Sequence, residues 1–183
     1  MVDIIGRSKK VVATTAETGY SLETMYQQYH KNVYNYIAFR INNHHDAEEL
    51  ASEVFIKAIK GWKSYNHIFP MEGWLIGIAK NVVTDYLRKT MGRHFLPFDS
   101  ILGLVSPGKQ PEEIMVLNEE SKKLMSAMIK LRDKERQILS MKFATELKHS
   151  EIAEILKISE SHVGVTAHRA MSKLKKLMEE DSV

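Results

Sequence analysis

Apolar residues recur along this chain at helical spacing. Asp46, with Glu49 three residues on, reads as a helix start, and Ala47, Leu50, Ala51, Val54 and Ala58 follow at i, i+3, i+4, i+7 and i+11. Phe55, Ile56 and Ile59 fall outside that stripe, among Glu48, Ser52, Glu53 and Lys60. Positions 61–70 break the helix and carry Trp62, Lys63, Tyr65, His67 and Phe69. A second helix is predicted from about Glu72, with Leu75, Ile78, Ala79, Val82 and Tyr86 on its core side and Gly77, Lys80, Asn81, Thr84 and Arg88 opposite. Ahead of this pair, Ser21 caps a helix holding Leu22, Met25, Tyr26, Tyr29, Val33, Tyr36 and Ile37, whose tyrosines pack with their hydroxyls wet. Positions 42–45 make the intervening turn.

The pattern changes at about position 90. Gly92, Pro97, Gly103, Pro107 and Gly108 punctuate against helix, while Phe95, Leu96, Phe98, Ile101, Leu102 and Leu104 make this more than a solvated spacer. It either docks on a partner or folds back on its own chain. Pro111 suits the first position of a helix with Ile114, Leu117, Leu124, Met128 and Leu131 inward. Asp133 caps the next, with Ile138, Leu139 and Phe143 inward. Ser150 then precedes a short helix and Ser159 a long basic one, about three residues apart, which is helix-turn-helix spacing. Ile152, Ala153, Leu156, Ile158 and Val163 are small or apolar where the two must cross. On the long helix Val163, Ala167, Ala170 and Leu174 face the core, and His162, Val165, Thr166, Arg169 and Lys173 face out. The expected fold is therefore all-α: a loose extension over 1–20, a helical bundle over 21–91, a flexible linker over 92–110 and a helix-turn-helix domain over 111–183.

Composition narrows the function. The formal net charge is +3, so any polyanion-binding surface must be local. There is no Cys, hence no disulfide framework or thiolate metal site, which fits a reducing, cytoplasmic setting. The adjacent His44 and His45 point apart on a helix, so no metal and no cofactor is expected. No apolar run reaches membrane-spanning length, and residues 1–19 lack the apolar core of a signal peptide, so no stable membrane insertion is expected. The surviving chemistry is binding. Lys and Arg neutralise phosphates and aromatic rings stack unpaired bases, which suits the 61–70 loop and the polar face after it to nucleic acid. Arg169 suits bidentate contact with guanine, and Val165 and Thr166 suit a thymine methyl. Glu49, Ser52 and Glu53 around an outward Ile56 form a charged rim about an apolar anchor, the pattern of a protein interface.

The run from Asp46 through Phe55, then Trp74-Leu75, Ile78-Ala79-Lys80-Asn81, Asp85 and Arg88, resembles the second conserved domain of extracytoplasmic-function (ECF) sigma factors, and the C-terminal helix-turn-helix resembles their fourth. The resemblance spans about Leu22 to Leu177. It implies a non-catalytic subunit that binds core RNA polymerase, recognises and melts the −10 promoter element with its N-terminal domain, and reads the −35 element with its C-terminal one. Core polymerase, double-stranded and melted promoter DNA and an anti-sigma factor are the implied partners. Carried onto this chain, Asp46, Glu49, Leu50, Ser52, Glu53 and Ile56 would meet polymerase. Lys60, Lys63, Tyr65, Asn66, Phe69, Trp74, Lys80, Asn81, Thr84 and Arg88 would meet downstream promoter DNA. Ser161, His162, Val165, Thr166, Arg169 and Lys173 would meet the upstream element. The chain departs from the family at Lys157, where the turn commonly has Gly, and at Gly164, Val165 and Thr166, where basic or hydroxyl residues are common. Arg169 and Lys173 are left as the main cations. Two other readings fit parts of the sequence: a regulator binding a palindromic operator without polymerase, and a helical enzyme. The order of acidic helix, aromatic loop and polar helix argues against the first, and the scattered histidines against the second.

Overall fold

The computed structural model describes residues 22–41, 43–65, 69–93 and 119–180, and all regular structure among them is helical. Seven α-helices follow in order: α1 Leu22–Ile41, α2 His44–Gly61, α3 Met71–Arg93, α4 Glu119–Ile129, α5 Asp133–Ala144, α6 His149–Leu156 and α7 Glu160–Glu180. The N-terminal extension, the Ser21 cap, most of the linker, and Pro111, Ile114 and Leu117 lie outside the described residues.

The predicted α2 stripe is buried as expected, and its small residues let neighbouring helices approach closely: Ala47, Ala51, Val54 and Ala58 are fully enclosed. Phe55 corrects the reading, since it too is buried, ringed by Tyr26 and His30 of α1. The helix also starts earlier than predicted. Asn43 is its cap, accepting a hydrogen bond from the Asp46 backbone N–H at 3.2 Å. The Asp46 side chain is thereby free to bind elsewhere. Its carboxylate accepts from the Asn43 side chain and from the Tyr86 hydroxyl, tying the start of α2 to α3. His44 and His45 do point apart, His44 to the Tyr34 hydroxyl at 2.9 Å and His45 towards Glu49.

The C-terminal helices form around Ile138, Leu139, Ile152, Val163, Ala167, Ala170 and Leu174, all buried. Arg132, not Asp133, is the cap of α5, and Glu135 accepts from its backbone N–H at 3.0 Å. Glu151 does the same for Lys148 at the start of α6, and Ser159 accepts from the His162 N–H at the start of α7. Phe143, expected inward, is 42% exposed and leans its ring on Phe39.

Periodicity predicts each half of the chain but not how the halves meet. α1 packs on α2 and α3 along one side and on α5 along another, so a single hydrophobic core runs through both. Tyr36 lies in this seam. Its hydroxyl is buried rather than wet, and burial pushes its pKa up to about 12 against the lowering influence of Arg40 and Gln137. Arg40, which no sequence pattern singles out, is also buried in the seam, 3% exposed.

Candidate nucleic-acid interface

The loop between α2 and α3 is built on three aromatic rings. After Gly61 a short 3₁₀ turn, Trp62–Ser64, is closed by the Ser64 hydroxyl donating to the Gly61 carbonyl at 2.6 Å. The turn aims Trp62 and Tyr65 at Trp74 on α3, with centroid distances of 6.0 and 4.9 Å respectively. The Tyr65 hydroxyl donates to the Phe69 carbonyl at 2.7 Å, drawing the two ends of the loop together. All three rings are half-buried, so their exposed portions form one aromatic floor rather than isolated platforms. Asn66, predicted here, lies outside the described residues.

Cations and amides flank that floor. Lys60 and Lys63 are exposed before it, and Asn81, Thr84 and Arg88 are exposed along the outer face of α3. The Thr84 hydroxyl donates to the Lys80 carbonyl, and Arg88 pairs with Asp85 at 3.1 Å. Lys80 differs from its neighbours: its ammonium donates to the Ile155 carbonyl near the end of α6, 3.2 Å away. Of the predicted downstream set, the described members are exposed or half-buried on α2, the loop and α3, with Lys80 engaged by another helix.

On α2, Glu49, Ser52, Glu53 and Ile56 share exposure as predicted, and Ile56 remains 50% exposed. Glu53 pairs with Lys57 at 2.8 Å. Leu50 is a correction, because it is buried in the core and supports the face from beneath. Asp46 is half-buried and engaged by Tyr86 and Asn43, so it too acts chiefly through the fold.

The third surface is α7. Ser161, His162, Val165 and Arg169 are exposed and Thr166 and Lys173 half-buried, so the predicted outward stripe stands as one face. Lys173 also reaches back to Glu135 at 3.3 Å. Burial raises the Glu135 carboxyl, but hydrogen bonds from Arg132 and Lys173 outweigh it and bring its pKa below the usual value. Beside the stripe lies a groove of about 370 Å³ lined by His168, Arg169, Ser172, Lys173 and Lys176. His168, Ser172 and Lys176 were not among the predicted contacts, although their spacing of four places them along one edge of the helix. The turn before α7 depends on Lys157, whose φ of 55° is left-handed, and its N–H closes on the Ala153 and Glu154 carbonyls of α6.

A helix-turn-helix whose second helix carries exposed cations, packed with a helical unit bearing an aromatic floor, is an arrangement suited to binding DNA. Two family signatures agree: Sigma-70 region 2 matches residues 25–93 and Sigma-70 region 4 matches residues 127–176. The chain is 33% identical over 159 residues to the RNA polymerase sigma factor YlaC of Bacillus subtilis, covering 86% of this chain and 92% of that protein. It is 31% identical over 157 residues to the ECF RNA polymerase sigma factor SigW of the same organism, with 81% and 83% covered. Its fold is similar to that of the sigma factor RpoE solved in complex with the anti-sigma factor NepR from Bartonella quintana, at a TM-score of 0.69, 18% identity and coverage of 86% and 96%. It is also similar to CnrH solved with the cytosolic domain of CnrY, at a TM-score of 0.67, 18% identity and coverage of 94% and 97%. The chain belongs to the ECF group of the sigma-70 family of RNA polymerase sigma factors. Such a subunit directs promoter-specific initiation by core RNA polymerase. Among the described residues no helix is long and apolar enough to cross a membrane.

Proposed function

We propose that the three surfaces divide the work of initiation. The face of Glu49, Ser52, Glu53 and Ile56 docks on core polymerase, with Asp46 and Leu50 holding it in shape. The aromatic floor of Trp62, Tyr65 and Trp74, with Phe69 and Asn66 at the loop, receives bases unstacked from the −10 element. Stacking is worth roughly 1–3 kcal/mol per base, which offsets part of the cost of melting. Lys60, Lys63, Asn81, Thr84 and Arg88 hold the backbone around those bases, joined by Lys80 when it leaves α6. The α7 stripe reads the −35 element, Arg169 through a base edge and Lys173, Lys176 and His168 through phosphates. The domain limits follow these roles, 21–91 for the first two surfaces and 111–183 for the third. No covalent step is assigned to the chain itself, which works in the cytoplasm beside the polymerase. An anti-sigma factor, as in the RpoE complex with NepR, is the expected regulator.

The observation that carries this reading is the convergence of Trp62, Tyr65 and Trp74 beside a row of exposed cations and amides on α3. Replacing Tyr65, Asn66 and Phe69 together by Ala is expected to leave polymerase binding intact while reducing permanganate reactivity of melted promoter thymines. Normal reactivity with the triple variant would restrict the loop to a structural role.

A further inference from the structure

α7 carries the predicted base-reading stripe on one face and a second edge beside it. That edge runs in steps of four through Gly164, His168, Ser172 and Lys176. The last three line the groove already described. At the Gly164 end the edge has no side chain of its own, and another helix supplies one. His149, the first residue of α6, brings its Nδ1 to 3.7 Å from where a Cβ on Gly164 would stand. An imidazole of α6 thus sits over α7 one turn before His168.

The other ring nitrogen of His149 has a cation for a neighbour. Its Nε2 lies 3.4 Å from the Lys142 Nζ of α5. An ammonium only donates, so in this arrangement Nε2 accepts and the ring is neutral. A proton added at Nε2 would set two cations side by side. The titratable groups on the surrounding elements are Lys142 on α5, Glu146 in the loop, Lys148 and Glu151 around the start of α6, and Glu160 and His168 one turn either side of Gly164 on α7. Glu151 is taken up by the Lys148 backbone N–H at 2.7 Å. Among the described residues no carboxylate pairs with Lys142 or His149.

An anion accepting from both nitrogens fits this arrangement. A phosphate oxygen between Nζ and Nε2 removes the conflict of charge and favours the protonated ring. The pair stands at the N-terminal end of the edge that carries the groove, where the backbone of a duplex held by α7 would pass. We propose that Lys142 and His149 form a phosphate site for the upstream duplex, and that His149 takes up a proton when the site fills. The proposal rests on the assignment of α7 to the −35 element. It extends the row of His168 and Lys176 across two further helices and makes upstream binding proton-linked. Binding strengthens as the ring gains charge and weakens as pH rises through the interval of about 5 to 8 in which imidazoles titrate. Arginine and lysine contacts alone give no such dependence there.

Two measurements on the full chain at constant ionic strength decide it. The first is affinity for a short labelled duplex carrying the −35 element. Between about pH 8 and 6 wild type should gain at least about fivefold more than His149→Gln. Glutamine keeps an acceptor for Lys142 but cannot take the proton. Lys142→Gln should weaken binding throughout and lower the salt slope by about one. A pH dependence in folded His149→Gln equal to that of wild type overturns the proposal. The second uses wild type alone, with carbon-13 in its histidine rings. The His149 signal, identified by its absence from the variant's spectrum, should titrate at higher pH with duplex bound than without. An unshifted titration overturns the site whatever the variants do. Arg169→Ala tests the underlying reading separately, since it should lose affinity yet keep the pH dependence. If it binds as tightly as wild type, the base-reading role of α7 fails, and the His149 titration still decides the phosphate site.

Discussion

Arg169 and Lys173 share a face of α7 but differ in surroundings. Arg169 is exposed and forms no ion pair among the described residues, whereas Lys173 is shared with Glu135. Arg169→Ala should cost about 1–3 kcal/mol at the preferred −35 sequence and relax preference at one position. Lys173→Ala should weaken all sequences alike and lower the salt slope. Binding assays across promoter variants and salt concentrations check both, and unchanged sequence preference in Arg169→Ala would remove its base-reading role. A second residue-level expectation concerns tyrosines. Burial pushes the Tyr34, Tyr36 and Tyr86 hydroxyls from 10.0 up to about 12, with Glu48 adding to the rise at Tyr34 and Asp46 at Tyr86. Their neutral forms are favoured in the folded chain, so this contribution is complete below pH 10 and is lost as pH rises from there through 12. Denaturant midpoints should fall across that window, with tyrosinate absorbance rising as the protein unfolds. Ionisation of all seven tyrosines near pH 10 in the still-folded protein would contradict it.

At the scale of elements, the helices were legible because their apolar stripes are strong, and the start of α7 because Ser159 stands where an orphan N–H needs an acceptor; α6 instead begins at His149, ahead of the predicted Ser150, with Glu151 accepting from the Lys148 N–H. The misread points have local causes. Asp46 has the form of a capping residue, but Asn43 takes that role and Asp46 turns to Tyr86, forty positions away in sequence. Phe55 belongs to the core because α1 brings Tyr26 and His30 over it, which a single helix's periodicity does not register. The helix-turn-helix offers a direct test. Lys157 occupies a left-handed turn at φ 55°, and Gly164 sits inside α7 with its nearest neighbour for an added Cβ, His149 Nδ1, at an ordinary 3.7 Å. Gly164→Ala should therefore stabilise by up to about 1 kcal/mol, and Lys157→Gly by a similar or smaller amount, since it relieves the left-handed cost but adds chain entropy. Each kcal/mol should appear as about 2–4 °C in Tm for a domain of this size. A lower Tm for Gly164→Ala would show that the crossing of α6 and α7 has no room for a methyl group.

For the whole molecule, the three proposed faces follow from spacing because each lies on one helix or one loop, whereas the seam does not, because it depends on α1 meeting α5 across 93 positions of sequence. No spacing in the sequence therefore singles out Arg40 at the end of α1. The same reasoning separates folding from docking on α2. Glu49 and Glu53 are exposed, and their partners, His45 and Lys57, lie on their own helix, so neither carboxylate is needed for the core. Charge reversal there should act through repulsion at an interface rim while the helical circular dichroism and Tm stay nearly unchanged. The deciding experiment is promoter opening by core polymerase supplied with this protein, with wild type and Glu49→Lys/Glu53→Lys compared side by side. Wild type should co-purify with core polymerase and generate permanganate-reactive thymines at its promoter, and the double variant should do neither while remaining folded. Undiminished polymerase capture and opening by the double variant would take this face out of the interface, and absence of both with wild type would contradict the whole division of surfaces.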